Sequence, residues 1–192
     1  MPSYEIEPDA PLPPLSAAGE TPLRHMGRDA RAWATNLEVR FTEVLGAAGL
    51  LDCSDGAHSK TVRDCYALRS LPLPGVPAED DERAALEGRQ PAHSDSPEPP
   101  TGSLAEIADA DFPLSTMLAV MPNTRLWLFP QGCDGAARLV RLAPGDMLVW
   151  RGDLVHAGAG YTEEHVRVHA YVDPPPLVYQ RPFGKTNRCG LA

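Results

Sequence analysis

The chain of 192 residues has no apolar run of membrane-spanning length, no CxxC pair, no cluster of Lys and Arg interleaved with aromatics, and few aromatics of any kind. Each absence removes a class of protein. A spanning helix needs about 20 consecutive apolar residues, so none is expected. With 17 basic against 26 acidic side chains the formal net charge is −9, which repels phosphate backbones and disfavours a nucleic-acid partner. The opening "MPSYEIEPDAPLPP" has acids and prolines where a signal peptide has basic residues followed by an apolar run. That pattern points to the cytosol or the nucleus. Cys53, Cys65, Cys133 and Cys189 lie far apart, and in a reducing compartment free, partly buried thiols are expected. Cys189 begins the terminal "CGLA", which has the loose spacing of a prenylation box, but the residue before Leu191 is a poor aliphatic and lipidation is not expected.

What is present is proline and glycine, 21 and 16 residues, against 6% aromatics. Proline breaks helix interiors and is confined to edges and loops in sheets, so the composition favours short strands and many turns over a helical bundle. The length and the 43% apolar content suit one sizeable core. Residues 1–23 are acidic and proline-rich and read as an extended arm; residues 24–192 read as one domain. From Arg28, Trp33, Leu37, Phe41, Val44, Leu45 and Ala48 recur at helical spacing and Gly49 lies near a plausible stop, which predicts an amphipathic helix. Signals from Asp52 to Glu87 are weak: "TVRDCYALRSLPL", then an acidic turn with one helical turn at most, whose charges read as a solvated face.

From Phe112 the period becomes two. "PLSTMLAVMP", "TRLWLFPQ", "ARLVRLAP", "DMLVWRG", "LVHAGAGY" and "VRVHAYVD" are six short runs separated by turn-like residues, which predicts a mainly β antiparallel sandwich or barrel with the N-terminal helix on one outer face. In the last run Val166, Val168, Ala170 and Val172 share one face and Arg167, His169, Tyr171 and Asp173 the other. An exposed strand would also show a polar face; a polar lumen, with the apolar face under the helix, explains this alternation at least as well.

Three short stretches carry the candidate chemistry. In "AHSD", His93 and Asp95 are two apart, so in an extended chain they point the same way and can converge on one ion, with Ser94 turned away. Alone, such a triplet is as well explained by a solvated loop pair. In "LVHAGAGY", His156 sits among small residues, and Gly158 and Gly160 leave room beside the imidazole. Arg167 follows across the "TEEH" turn, in the neighbouring strand and able to share the interior face, and a buried guanidinium with no carboxylate in sequence reach calls for an anionic partner. His165, in the turn, and His169, one pleat beyond Arg167, are rival ligands ranked below His156.

The order H-x-D, long interval, H, then R resembles that of the non-haem Fe(II)- and 2-oxoglutarate-dependent dioxygenases, in the branch that uses Arg for the co-substrate. The resemblance spans Gln90 to Asp173 and includes "LAPGDMLVWRGDLVHAGAG", similar to the run that carries the second histidine. It implies a double-stranded β-helix, a jelly-roll or cupin-like barrel over about residues 88–175. It also implies Fe(II) held by His93, Asp95 and His156, and 2-oxoglutarate paired with Arg167. O2 would be the third reactant, with release of succinate and CO2. Ser115, Trp127 and Tyr171 are candidates to line the pocket, Ser115 and Tyr171 on the co-substrate, each equally readable as a packing residue. Pro97 to Pro100 read as a stiff loop at the mouth. "FPQG" lacks the serine and histidine of the "PGSH" turn in the phytanoyl-type branch, and "RVH" replaces the frequent R-x-S, which leaves the substrate open. A small molecule or an exposed side chain is expected as substrate. The alternatives are a cupin-type metalloenzyme without 2-oxoglutarate and a metal-binding barrel without turnover.

Overall fold

All six alternating runs form strands. A computed structural model of the chain describes residues 20–23, 27–51, 60–96, 112–133, 135–174 and 187–188. In chain order the elements are β1 (Glu20–Leu23), α1 (Gly27–Ala47), β2 (Thr61–Ser70), α2 (Asp81–Glu87), β3 (His93–Ser94), β4 (Leu114–Ala119), β5 (Thr124–Phe129), β6 (Arg138–Leu142), β7 (Met147–Arg151), β8 (Val155–Gly158), β9 (His165–Asp173) and β10 (Asn187–Arg188). They build two five-stranded sheets, β1-β2-β9-β4-β7 and β10-β3-β8-β5-β6, with every pairing antiparallel. This is the expected double-stranded β-helix.

Alternation along β9 sorts the two sides of the first sheet. Val168, Ala170 and Val172 join Val62, Cys65 and Leu114 under Phe41 and Leu45 of α1 in one buried cluster. Burying this layer against the helix supplies the apolar area that stabilises the sheet, at roughly 25 cal/mol per Å². Val44 is 52% exposed, so the buried stripe of α1 is narrower than its sequence period suggests. The helix ends where Gly49 turns to φ 71° and Leu50 N–H bonds back to the Leu45 carbonyl at 2.9 Å, a stop that favours glycine. Between the sheets a second apolar cluster of Met117, Ala119, Leu126, Leu142 and Trp150 fills part of the lumen.

Several expectations need correction. Glu20–Leu23, assigned to the extended arm, pair with β2 as β1; residues 1–19 lie outside the described residues. The weak segment "TVRDCYALRS" is the ten-residue β2, whose alternation is broken by a bulge between Arg63 and Tyr66 with Asp64 at φ 50°. The acidic stretch is not simply a solvated face. It forms α2, where Asp81 accepts from Asn123 Nδ2 at 2.5 Å and from Thr162 Oγ1 at 2.9 Å, and meets the fully buried Arg125 at 3.4 Å. Cys65 is free and buried as expected, whereas Cys133 is disulfide-bonded. Cys53, Cys189 with its "CGLA", and Pro97–Pro100 lie outside the described residues.

A polar knot ties α2 to the barrel. The Tyr161 ring stacks on His165 at 3.9 Å and lies 4.8 Å from the Arg125 guanidinium carbon, while His165 Nε2 is 2.9 Å from Thr124 Oγ1. His165 is thus a packed strand residue held away from the other histidines. Burial, then Arg167 and Arg125, pushes its pKa down to about 4, with Asp81 acting against them. The unfolded chain takes up this proton near 6.5 and the folded chain only near 4, so stability is intact above 6.5 and is lost between those values. We expect His165→Gln to flatten the fall in unfolding free energy across that window, measured by urea titration; an unchanged slope would remove His165 as its cause.

Candidate metal centre

The first two candidate ligands reach the barrel through a close backbone junction. The chain leaves α2 at Gly88, whose Cα packs against Gly160; a Cβ at Gly160 would lie 2.6 Å from Gly88 Cα and collide with the Ala84 carbonyl oxygen. Gly160 therefore makes room for α2, while Gly158 faces the cavity beside the imidazole. Two residues beyond Gly88, Gln90 N–H donates to the Gly158 carbonyl at 2.9 Å and Gly158 N–H donates to Gln90 Oε1 at 3.0 Å. The next pairing is His93 with His156, the one register pair of β3 with β8.

This brings His93, Asp95 and His156 together, with one ligand atom from each all within 4.8 Å of one another. His93 Nδ1 lies 2.8 Å from the Pro91 carbonyl oxygen and His156 Nδ1 2.9 Å from that of Leu154. A carbonyl only accepts, so each Nδ1 carries a proton and Nε2 is the atom of each ring left for a metal. Such fixing of the tautomer by an outer hydrogen bond is usual for metal-binding histidines. Asp95 is buried, and its Oδ2 accepts from Ser115 Oγ at 2.6 Å and lies 3.5 Å from His156 Nε2. Burial works to raise the Asp95 pKa, but His156, then His169 and His93, outweigh it and hold the carboxyl well below the usual range. Its ionised form therefore stabilises the fold above the ordinary carboxylate pKa, a contribution lost progressively as pH falls from that ordinary value through the lowered one.

These groups border a cavity between the sheets that encloses about 30 Å³. Arg167, His169 and Tyr171 of β9 line it from the facing sheet, with Tyr66 and Trp150. Arg167 is buried and its Nη1 donates to Ser70 Oγ at 3.0 Å. Because β8 and β9 belong to different sheets, Arg167 faces the triad across the lumen, not from the neighbouring strand. His169 sits closest of the rival ligands, Nε2 3.7 Å from Asp95 Oδ2. Ser115 contacts Asp95 and does not border the cavity. Trp127 points outward and donates to the Ala85 carbonyl of α2 at 2.9 Å. Trp150, Tyr66 and Gln90 were not singled out from sequence. Alternation in "DMLVWRG" puts Trp150 on one face with Leu148, but does not say which face is inside.

A second, larger cleft of about 470 Å³ shares Trp150 with the cavity as a lining residue and is walled by Phe129, Pro130, Val149 and Leu154. Arg151 and Asp153 at its edge pair with each other through Nη2 to Oδ2 at 3.1 Å.

No protein-family model matches the chain, and no curated protein matches it in sequence. Solved structures do. A prolyl hydroxylase from Trichoplax adhaerens, in complex with a peptide fragment of the hypoxia inducible factor oxygen degradation domain, is 12% identical at a TM-score of 0.50, over 90% of this chain and 70% of that one. An oxidoreductase of the 2OG-Fe(II) oxygenase family from Burkholderia pseudomallei is 14% identical at a TM-score of 0.46, over 79% of this chain. A cupin domain from Bordetella pertussis is 12% identical at a TM-score of 0.34, over 61% of this chain and 94% of that one. The chain spans 60% of the Burkholderia protein's length. At these identities the likeness is one of fold.

The Ser115 contact makes a direct expectation. Ser115→Ala leaves a buried carboxylate one donor short, and hydrogen bonds to charged groups contribute about 1.5–3 kcal/mol. Urea unfolding at pH 7 should show a loss of that order; a loss below about 0.5 kcal/mol would mean that Asp95 does not depend on this bond.

Proposed function

We propose that this protein is a non-haem Fe(II)- and 2-oxoglutarate-dependent dioxygenase that hydroxylates a small molecule or an exposed side chain. One observation carries the reading: two imidazoles and one carboxylate converge within 4.8 Å beside a cavity whose facing sheet presents a buried arginine. Two nitrogens and one oxygen with open positions form the donor set of ferrous oxygenases. The residues fit the ion, because the Nδ1 of each histidine is taken up by a backbone carbonyl, which leaves Nε2 for the metal, and Asp95 supplies a buried carboxylate beside them.

In this reading His93, Asp95 and His156 hold the iron, and Ser115 keeps the Asp95 carboxylate in place. Arg167 offers a planar guanidinium suited to two-point binding of the distal carboxylate of 2-oxoglutarate, and Tyr171 is the co-substrate's neighbour. When bound, iron and 2-oxoglutarate supply the oxidising chemistry: O2 is consumed, one oxygen atom enters succinate with loss of CO2, and the other enters a substrate C–H bond. Met117, Leu126 and Trp150 keep bulk water from the reacting atoms. The cleft beside Trp150, about 470 Å³, is within the range of small-molecule sites, which supports a small molecule or a single side chain as substrate. Carboxylate ligation by Asp95 disfavours halogenation, which needs that position vacant.

One observation favours a second reading, a cupin-type metalloenzyme without 2-oxoglutarate: His169 places a third imidazole 3.7 Å from Asp95. The two separate on Arg167. His93→Ala and Asp95→Ala should each abolish succinate formation by the iron-loaded protein, and Arg167→Met should raise the 2-oxoglutarate concentration needed at least 100-fold. Full succinate formation in the first two would sink the dioxygenase reading. Metal-dependent oxygen consumption indifferent to Arg167→Met would favour the cupin-type reading.

A further inference from the structure

The wall of the cavity nearest His156 carries buried polar atoms. Trp150 is 5% exposed, and its Nε1–H, a donor only, has no hydrogen-bond partner among the described residues. His169, likewise 5% exposed, has a second such atom in Nδ1. Both side chains line the same small cavity as the triad and Arg167. Buried polar atoms without partners are rare in native proteins and each calls for an explanation, among them a ligand that completes the bond.

The tryptophan is also held firmly. Its ring meets His156 edge-on at 5.1 Å and His169 at 5.9 Å, and its backbone pairs in register with Ser115, the residue that holds Asp95. A side chain fixed by the ligand set itself, with its one donor unused, is built to contact whatever binds beside the triad. In the dioxygenase reading Arg167 meets the far end of an acid in this lumen. We propose that Trp150 is a ligand-binding, specificity-determining residue whose Nε1–H donates to an oxygen of the near-metal end of a 2-oxo acid. This rests on the dioxygenase reading for the identity of the natural acid, but not for the role of Trp150. The near end is common to all 2-oxo acids, whereas the far carboxylate is peculiar to the dicarboxylic ones. Trp150 therefore acts on every 2-oxo acid alike, and Arg167 on the dicarboxylic ones alone.

The test uses the full-length Co(II)-loaded protein, titrated without turnover with 2-oxoglutarate and with pyruvate and followed by the cobalt d–d absorption. Trp150→Phe keeps an aromatic ring and removes the N–H. It should weaken both acids by the same factor, about tenfold as expected for a hydrogen bond to a charged acceptor, with Co(II) affinity within about twofold of wild type. Arg167→Met should weaken 2-oxoglutarate and leave pyruvate unchanged. Unaltered affinity for both acids in Trp150→Phe overturns the proposal, as does failure of the wild type to bind either. If the wild type binds pyruvate but gains nothing from the second carboxylate of 2-oxoglutarate, the co-substrate reading fails, and pyruvate alone decides the role of Trp150. Should Trp150→Phe lose Co(II), benzothienylalanine at position 150, which keeps the ring shape and lacks the N–H, decides by the same criterion.

Discussion

The site hangs on a strand of two residues. A strand as short as β3 contributes little stability by itself, so its position is set by what brackets it. On one side lie the reciprocal hydrogen bonds between Gln90 and Gly158 and the backbone contact of Gly88 with Gly160. On the other, Ser96 N–H donates to the Gly152 carbonyl at 2.9 Å, where a side chain on Gly152 would collide with Ser96. Between these anchors His93 can pair only with His156. Two segments distant in sequence are thereby made into one candidate ligand set, and at Gly88 and Gly160 glycine is required because backbone must approach backbone.

The remaining architecture separates stability from chemistry. In the first sheet β9 turns Val168, Ala170 and Val172 to α1 and Arg167, His169 and Tyr171 to the lumen. Burying charge is expensive unless it is paired and hydrogen-bonded. Asp95 meets that condition through Ser115 and the imidazoles, and Arg125 through Asp81 and the Gly160 carbonyl. Arg167 donates to Ser70 Oγ, and in the proposed enzyme it would also bind the co-substrate's carboxylate.

Strand alternation made much of this legible. The six runs after Phe112 stand out because each is short, aliphatic and bounded by turn residues, and the two faces of residues 166–173 are unlike enough that a helix over one and a polar interior on the other explain them at least as well as an exposed strand. The pair His93 and Asp95 acquires meaning only with His156 and Arg167, because an H-x-D triplet in a loop has no period of its own. Other features were hidden for physical reasons. The bulge at Asp64 shifts the alternation of β2, so Tyr66 loses its signal. Asp81 looks like any solvated acid until the fold brings Arg125 to it. Trp127 and Trp150 are equally plausible pocket residues by type; which of them faces inward depends on sheet register, which pairs Trp150 with Ser115 and turns Trp127 to α2.

The claim that joins these features is that the triad and Arg167 form one site for iron and a 2-oxo dicarboxylate. Anaerobic titration of the Fe(II)-loaded protein with 2-oxoglutarate tests it most directly, because chelation of ferrous iron by a 2-oxo acid produces a visible metal-to-ligand charge-transfer band. The account predicts a band that saturates at one equivalent and is absent from His93→Ala. An iron-loaded protein whose spectrum 2-oxoglutarate leaves unchanged would contradict it.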